Sequence, residues 1–342
     1  MRVDEFDYSL PPSLIAQYPA TQRGGSRLMV LHRGRGTIDH RRFGDILAYL
    51  DSGDLLVMNN TRVLPARLIG KKESGGKCEI LLIPSWNGNK GKWNALIKGS
   101  SRVKPGTRIQ FGDDLYGEVK EVKDGRAEIS FSSPGEVMEA IQRVGHVPLP
   151  PYIRRPDEPM DRDRYQTIFA ERDGSIASPT AGLHFTRELF ESLRNKGLNL
   201  TFITLHIGVG TFAPVKVEEV EDHRMEEEWI EISEQTAKEI EVTKQRGRRV
   251  IAVGTTTTKA LESFSDLEGR VKPGRKVSSL FIHPPYDFRV VDGLITNFHL
   301  PRSTLLMLVS AFTGKDLLMK AYEEAIEKGY RFYSYGDAML IL

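Results

Sequence analysis

From Arg67 to Phe131 the chain alternates apolar and polar residues in short bursts: ARLIG, KCEILLIP, KWNALIKG, TRIQF, LYGEVKEV and RAEISF. Side chains on a strand point to opposite faces in turn, so a period of two predicts short strands with one buried face. The separators ESGGK, WNGNKGK, VKPGT and KDGR are glycine-rich or Pro-Gly turns of the kind that joins such strands. The stretch reads as a small all-β sandwich or barrel.

After residue 166 the period lengthens. Helices are predicted over 186–196, 234–246, 256–264, 303–313 and 315–328, and strands over 200–206, 229–232, 249–253, 278–281 and 338–341. Strands alternating with helices predict a parallel or mixed sheet. Upstream, residues 43–50 space their apolar side chains as a helix does, and 54–58 read as a buried strand. A helix is predicted over 136–144, and the Pro- and Arg-rich 145–166 reads as an extended link, because proline fixes φ and cannot donate to a helix. The fold class expected is α/β, a mixed sheet with helices, interrupted by the small β unit. The boundaries read as 1–63 plus 150–342 for the α/β domain and 64–149 for the insertion.

Composition changes this picture little. The 342 residues, 39% of them hydrophobic, suffice for two domains. No run of about eighteen apolar residues is present, and the N-terminus lacks a signal-peptide pattern, so no membrane association is expected. The lone Cys78 leaves no disulfide framework and no cysteine-built zinc site, which fits a reducing cytoplasm. Net charge is +2, but residues 62–128 hold 14 Lys and Arg against 8 Asp and Glu. That local excess can supply phosphate contacts, or simply protect the edges of a small β domain.

Five polar segments border apolar runs. In VMNNTRVLPARL, Asn59, Asn60, Thr61 and Arg62 end a buried strand, where α/β proteins place ligand contacts; a turn closed by Asn side chains fits equally. In IASPTAGLHF, Ser178, Pro179, Thr180, Ala181 and Gly182 form a tight loop whose amides could face an anion, and His184 could exchange protons near neutrality. A core-facing histidine is the plain alternative there. In TLHIGVGTFAPV, His206 ends a strand, and Gly208 and Gly210 permit close ligand approach before Thr211, or a simple bend. The third glycine of a dinucleotide fingerprint is missing. In RRVIAVGTTTTKALE, Gly254, Thr255 and Thr256 open a helix whose free amides suit a carboxylate or phosphate, without P-loop spacing; a Thr-capped helix is the alternative. In LITNFHLPRSTLLMLVSAF, Asn297 and His299 lie between a strand and a helix, and Asp337 sits in a turn before the last strand; ordinary turn and cap chemistry accounts for both as well. His184, His206, His223 and His299 have no HExxH-like spacing, so no metal is expected.

Taken in order, FDYSLPPSLIAQYP, SRLMVL, NTRVLPARL, PLPPYIRR, DRYQTIFA, PTAGLHF, LHIGVGTFAPV, VGTTTT, TNFHLPRSTLLMLVSAF and YRFYSYGDAMLI resemble the S-adenosylmethionine:tRNA ribosyltransferase-isomerase family from end to end. The resemblance implies a mixed α/β domain with a small six-stranded Greek-key barrel inserted. It implies transfer and isomerisation of the ribosyl part of S-adenosylmethionine onto 7-aminomethyl-7-deazaguanine at the wobble position of tRNA, with release of adenine and methionine. No metal or second cofactor is implied, and a cytoplasmic monomer is expected. The chain departs from the family pattern at Asn60 (usually Asp), Ser178 (Ala), Lys259 (Arg), Glu226 (His) and His283–Pro284–Pro285–Tyr286 (aromatic–Pro–Gly–Tyr).

That reaction needs a base for the C–H beside the sulfonium and a donor for the leaving adenine, roles that suit histidine. His184 or His206 is expected as base, with His299 or Asp337 as partner. The Gly254–Thr258 turn is expected at the methionine carboxylate, and the PTAGLH and LHIGVGT loops at the ribose and adenine. Tyr286, Tyr335 or Phe212 would face the sulfonium. Arg62, Arg67, Lys71, Lys72, Arg154 and Arg155 are the expected phosphate contacts. A non-catalytic RNA-binding protein, a metal-dependent hydrolase and an S-adenosylmethionine methyltransferase are the competing readings.

Overall fold

The computed structural model describes residues 1–84, 92–98, 103–133, 135–212 and 215–342. The first strands are β1 (Arg27–His32), β2 (Thr37–Arg42), β3 (Leu55–Asn59) and the short β4 (Thr61–Val63). Next come β5 (Arg67–Lys72), β6 (Lys77–Ile83), β7 (Lys92–Lys98), β8 (Arg108–Phe111), β9 (Leu115–Lys123) and β10 (Arg126–Ser132). Helices α1 (Val137–Val144) and α2 (Asp161–Arg164) lead to β11 (Arg172–Ser175), which pairs in parallel with β4. The remainder runs α3 (Arg187–Asn195), β12 (Asn199–His206), β13 (Glu228–Ile232), α4 (Glu234–Gln245), β14 (Val250–Val253), α5 (Thr255–Phe264), β15 (Gly274–Ser278), β16 (Gly293–Asn297), α6 (Thr304–Thr313), α7 (Lys315–Glu327) and β17 (Ala338–Ile341).

Strands β5 to β10 close an antiparallel barrel in the order β10-β7-β6-β5-β8-β9. The fourth strand returns beside the first, which is the Greek-key connection. The alternation read in the sequence appears as alternating burial in β6 and β7. Leu68, Ile80, Ala95, Phe111, Val119 and Ile129 fill the interior. Each large member contributes about 1.5–3 kcal/mol by leaving water. The turn expected at 86–91 lies outside the described residues.

The other large element is a nine-stranded sheet, β15-β13-β12-β3-β14-β16-β17-β1-β2. Its centre, β12-β3-β14-β16, is parallel, while β13, β15, β17 and β2 bring antiparallel pairings. Strands β3, β14 and β16 are buried along their whole length, because helices cover both faces. Leu55, Val57, Val250, Ala252 and Leu294 face a core built with α4 to α7, and Leu56, Met58, Ile251, Val253 and Ile295 face one built with α3 and the 43–49 turn.

Two expectations are corrected. Phe43–Tyr49 is a 3-10 helix, with Asp45 folding back to accept from the Arg42 amide at 2.9 Å. The strand expected at 278–281 is Gly274–Ser278 instead; the apolar 280–282 run that suggested a strand packs against the core without a ladder.

Candidate functional site

The four parallel strands at the sheet centre end at one edge. Their last residues or immediate successors are His206 of β12, Asn59 of β3, Gly254 after β14 and Asn297 of β16. Ligands of open α/β sheets bind beyond the carboxyl ends of such strands. Gly254 holds φ at 96° as the N-cap of α5 and carries no capping side chain. Helices α3, α4 and α6, by contrast, are capped by Thr186, Ser233 and Ser303. The first amides of α5 are thus left for something else.

A small cavity of about 50 Å³ lies here, lined by Ser178, Pro179, Thr180, Ala181, Thr211, Gly254, Thr255, Thr256, Asn297 and His299, with Tyr152 and Tyr333 at its side. Thr211, Thr255, Thr256 and Leu305 also line a second cavity of about 310 Å³, which adds Gly208, Gly210, Glu228 and Lys259. The distant glycine and histidine turns therefore meet.

Three buried polar atoms on the smaller cavity have no hydrogen-bond partner: Ser178 Oγ, Thr256 Oγ1 and Asn297 Oδ1. Leaving such an atom unmet costs about 1–3 kcal/mol, so the wall is shaped for polar atoms that a ligand brings. Asn297 is oriented from behind. Its Nδ2 donates to the Tyr333 carbonyl at 3.0 Å and meets His184 Nε2 at 3.2 Å. His184 Nε2 is thereby the acceptor, and Nδ1 donates to Ser26 Oγ at 2.7 Å. Burial pushes His184 down to about 4, which keeps it neutral in this relay.

His299 lines the smaller cavity. Thr296 Oγ1 holds its Nε2 at 2.8 Å, and Tyr322 and Tyr8 hydroxyls hold its backbone on both sides. Burial pushes it down to about 3. His206 lines neither cavity: its ring stacks on Trp229 at 5.0 Å, its Nδ1 meets Thr61 Oγ1 at 2.7 Å, and burial lowers it to about 4. A Cβ on Gly174 would strike that ring at 2.7 Å, so the glycine makes room for it.

Other expected residues stand apart. Asp337 accepts the Arg27 and Arg331 amides, each at 2.8 Å, and is a buried pin outside both cavities. Tyr335 donates to Asp161 at 2.7 Å, and Tyr286 packs on Phe288; neither lines the cavities. The Phe212 side chain lies outside the described residues. Asn60 is spent on Glu171 and Thr204, Thr61 on His206, and Gly182 packs behind the loop against Thr167 and Phe169. Arg62 is exposed beside Asp173. Of the phosphate candidates, Lys71 and Lys72 line a barrel groove with Arg108 and Tyr116, and Arg154 is exposed. Arg67 pairs with Glu79 at 3.0 Å. Arg155 forms a bidentate pair with buried Asp161, at 2.7 and 2.8 Å, and also donates to the Gln17 and Pro156 carbonyls, so most of its guanidinium is already engaged.

Sequence reading missed the roles of Lys259 and Glu228, which form a buried ion pair at 2.8 Å in the larger cavity. A signal existed: Lys259 stands three and four residues beyond Thr256 and Thr255, on the same helix face. Among the described residues, no three His, Cys, Asp or Glu side chains are grouped to hold a metal ion. None of the described helices is long and apolar enough to cross a membrane.

A family model described as queuosine biosynthesis protein matches residues 3–341. The chain is 49% identical over 343 residues to the S-adenosylmethionine:tRNA ribosyltransferase-isomerase of Sulfurihydrogenibium sp., covering 100% of both chains. It is 51% identical over 345 residues to the protein of the same name from Halothermothrix orenii, again covering 100% of both. The crystal structure of S-adenosylmethionine tRNA ribosyltransferase from Thermotoga maritima superposes with a TM-score of 0.57 at 39% identity, covering 99% of this chain and 100% of that one.

Proposed function

The chain belongs to the queuosine biosynthesis protein family, and from that membership we propose that it transfers and isomerises the ribosyl group of S-adenosylmethionine onto the aminomethyl nitrogen of 7-aminomethyl-7-deazaguanine in tRNA, giving epoxyqueuosine. Adenine and methionine leave. The observation that carries this reading is the convergence of four strand-end turns on a polar cavity with three unmet polar atoms.

Two bonds of the donor break, C–S to methionine and C–N to adenine; the amine nitrogen sheds a proton and bonds to the ribosyl unit, the isomerisation closes one further bond inside that unit to give the epoxide, and the proton taken from the donor C–H ends on adenine. The sulfonium stabilises negative charge on the adjacent carbon, so a base can remove that proton. His299 is the imidazole of the smaller cavity, and its depressed pKa of about 3 makes it neutral at pH 7. It can therefore begin only as a proton acceptor. Once charged in a desolvated site it gives the proton up readily, and departing adenine is the group that needs one. Asn297 and Ser178 supply hydrogen bonds to the ribose and the purine edge. His184 acts through Asn297 as a positioning residue. Residues 64–149 form the inserted unit that carries the RNA contacts, with Lys71, Lys72 and Arg108 on phosphates and Tyr116, 46% exposed, beside them.

The test is to incubate the protein with S-adenosylmethionine and tRNA bearing the aminomethyl base. Adenine and methionine should appear in equal amounts with ribosylated tRNA, and His299→Ala should abolish adenine release. Labelled methyl groups arriving in RNA, or full turnover by His299→Ala, would overturn the reading or the role respectively.

A further inference from the structure

The larger cavity holds a charge arrangement that the fold itself does not require. Lys259 Nζ and Glu228 Oε2 lie 2.8 Å apart with side chains only 6% and 9% exposed. Taking two charges out of water costs about as much as their attraction returns, so a buried pair is a poor stabilising device. Both groups are fixed by secondary structure, Lys259 on α5 and Glu228 at the start of β13. The second oxygen of Glu228 accepts from Thr211 at 3.3 Å. Thr256 Oγ1, on the same helix face as Lys259, is buried and unpartnered and lines both cavities. Lys216, Arg224 and Glu226 also line the larger cavity but are exposed at its mouth, and Glu226 is engaged by Arg126 and by the Gly210 amide. The buried charges on offer are therefore one cation and one anion, side by side, about 310 Å³ of space in front of them.

We propose that this cavity seats the amino-acid arm of the sulfonium donor, with Lys259 and Thr256 taking its α-carboxylate and Glu228 its α-ammonium. A zwitterion presents both charges on one carbon and so matches an adjacent Lys–Glu pair, whereas a phosphate or simple carboxylate would leave Glu228 facing like charge. The arm then runs past Thr211, Thr255, Thr256 and Leu305, the residues shared by the two cavities, which delivers the sulfonium to the junction and the ribose to Asn297 and His299. The inference rests on the reading that S-adenosylmethionine is the donor, and it goes beyond it by naming what recognises the amino acid.

Calorimetry on the full chain tests it with three probes: S-adenosylmethionine, its decarboxylated analogue, and adenine. The wild type should bind the decarboxylated analogue roughly 10- to 100-fold more weakly than S-adenosylmethionine, the effect of losing a charged hydrogen-bonded group. Lys259→Met should weaken S-adenosylmethionine by a similar factor and erase the gap, with adenine binding unchanged; Lys259→Arg should keep the gap. Equal affinity of the wild type for the two sulfonium probes overturns the proposal, and so does a Lys259→Met variant that loses adenine in parallel. A wild type that binds with the expected gap but releases no adenine on modified tRNA leaves this site standing and overturns the function. One that binds neither sulfonium probe overturns both.

Discussion

The barrel and the central sheet are built to opposite rules. Among the described residues, every buried polar or charged side chain lies outside the stretch from Arg62 to Met160; the barrel core is apolar throughout. The barrel's charged groups are on its surface, in pairs such as Lys92–Glu128 and Lys120–Glu118, where an ion pair is worth at most about 1 kcal/mol. The sheet buries histidines, threonines, asparagines and a Lys–Glu pair, and leaves three polar atoms unmet at a cavity. A region that tolerates unmet polar atoms accepts a cost in stability, and reaction chemistry is what needs them. A region with a clean core can act only through its outside.

The sharpest way to break this comparison is acid. His184, His206 and His299 are neutral in the folded protein, pushed to about 4, 4 and 3 by burial. In the unfolded chain they take up protons below about pH 6.5. Between those limits acid protonates the unfolded chain alone, so stability falls as pH drops from about 6.5 and the full penalty is reached near pH 4 and below. By pH 4 each histidine has cost roughly 3 kcal/mol. Single-tryptophan variants report the two regions separately, with Trp93 inside the barrel and Trp229 stacked on His206. At pH 4 the melting temperature read at Trp229 should fall well below its pH 7 value, and that read at Trp93 should fall less. Equal losses would show that the two regions do not differ in this way.

A smaller effect separates chemistry from RNA binding. Asn297→Ala removes an unmet oxygen from the cavity and should lower kcat/KM for adenine release roughly 100-fold, as loss of one preorganised polar group does. Its tRNA affinity in a filter-binding assay should stay at the wild-type value; a parallel loss of tRNA binding would place RNA against the sheet edge. The smallest effect is expected on the barrel. Replacing Lys71 and Lys72 with Ala should flatten the salt dependence of tRNA binding by about 2 in log–log slope, with adenine release at saturating tRNA unchanged. An unaltered slope would move the RNA contacts elsewhere.

How much of this was legible in the residues depended on whether a local pattern or a distant partner decided the outcome. The barrel was legible because a period of two is local: Ile80, Leu82, Trp93 and Ala95 point inward in the structure as the alternation requires. Helix α5 and the strand before it were legible from VIAVGTTTT, although Gly254 and not a threonine is the cap. The divergent fates of the histidines were not legible. Histidine serves as readily for a hydrogen-bond relay as for catalysis, and only the fold brings Ser26 to His184 or Trp229 to His206. Asp337 and Arg155 looked available for ligands and RNA for the same reason: their partners, Arg331 and Asp161, gave no sign of spending them. Glu228 and Lys259 lie on separate elements: the spacing from Thr255 and Thr256 put Lys259 on their helix face, but nothing local named its partner.

The seam where the barrel leaves and rejoins the sheet has a consequence for folding. Arg67 and His146 exchange both backbone hydrogen bonds, at 3.3 and 2.8 Å, so the chain exits and returns at one point. Once the barrel has formed, the long excursion between them counts for the rest of the molecule as little more than a hairpin. The entropic penalty of joining β3 to β12 then scales with a far shorter effective loop. A barrel that assembles first on its own local contacts would therefore shorten the search for the parallel sheet around it.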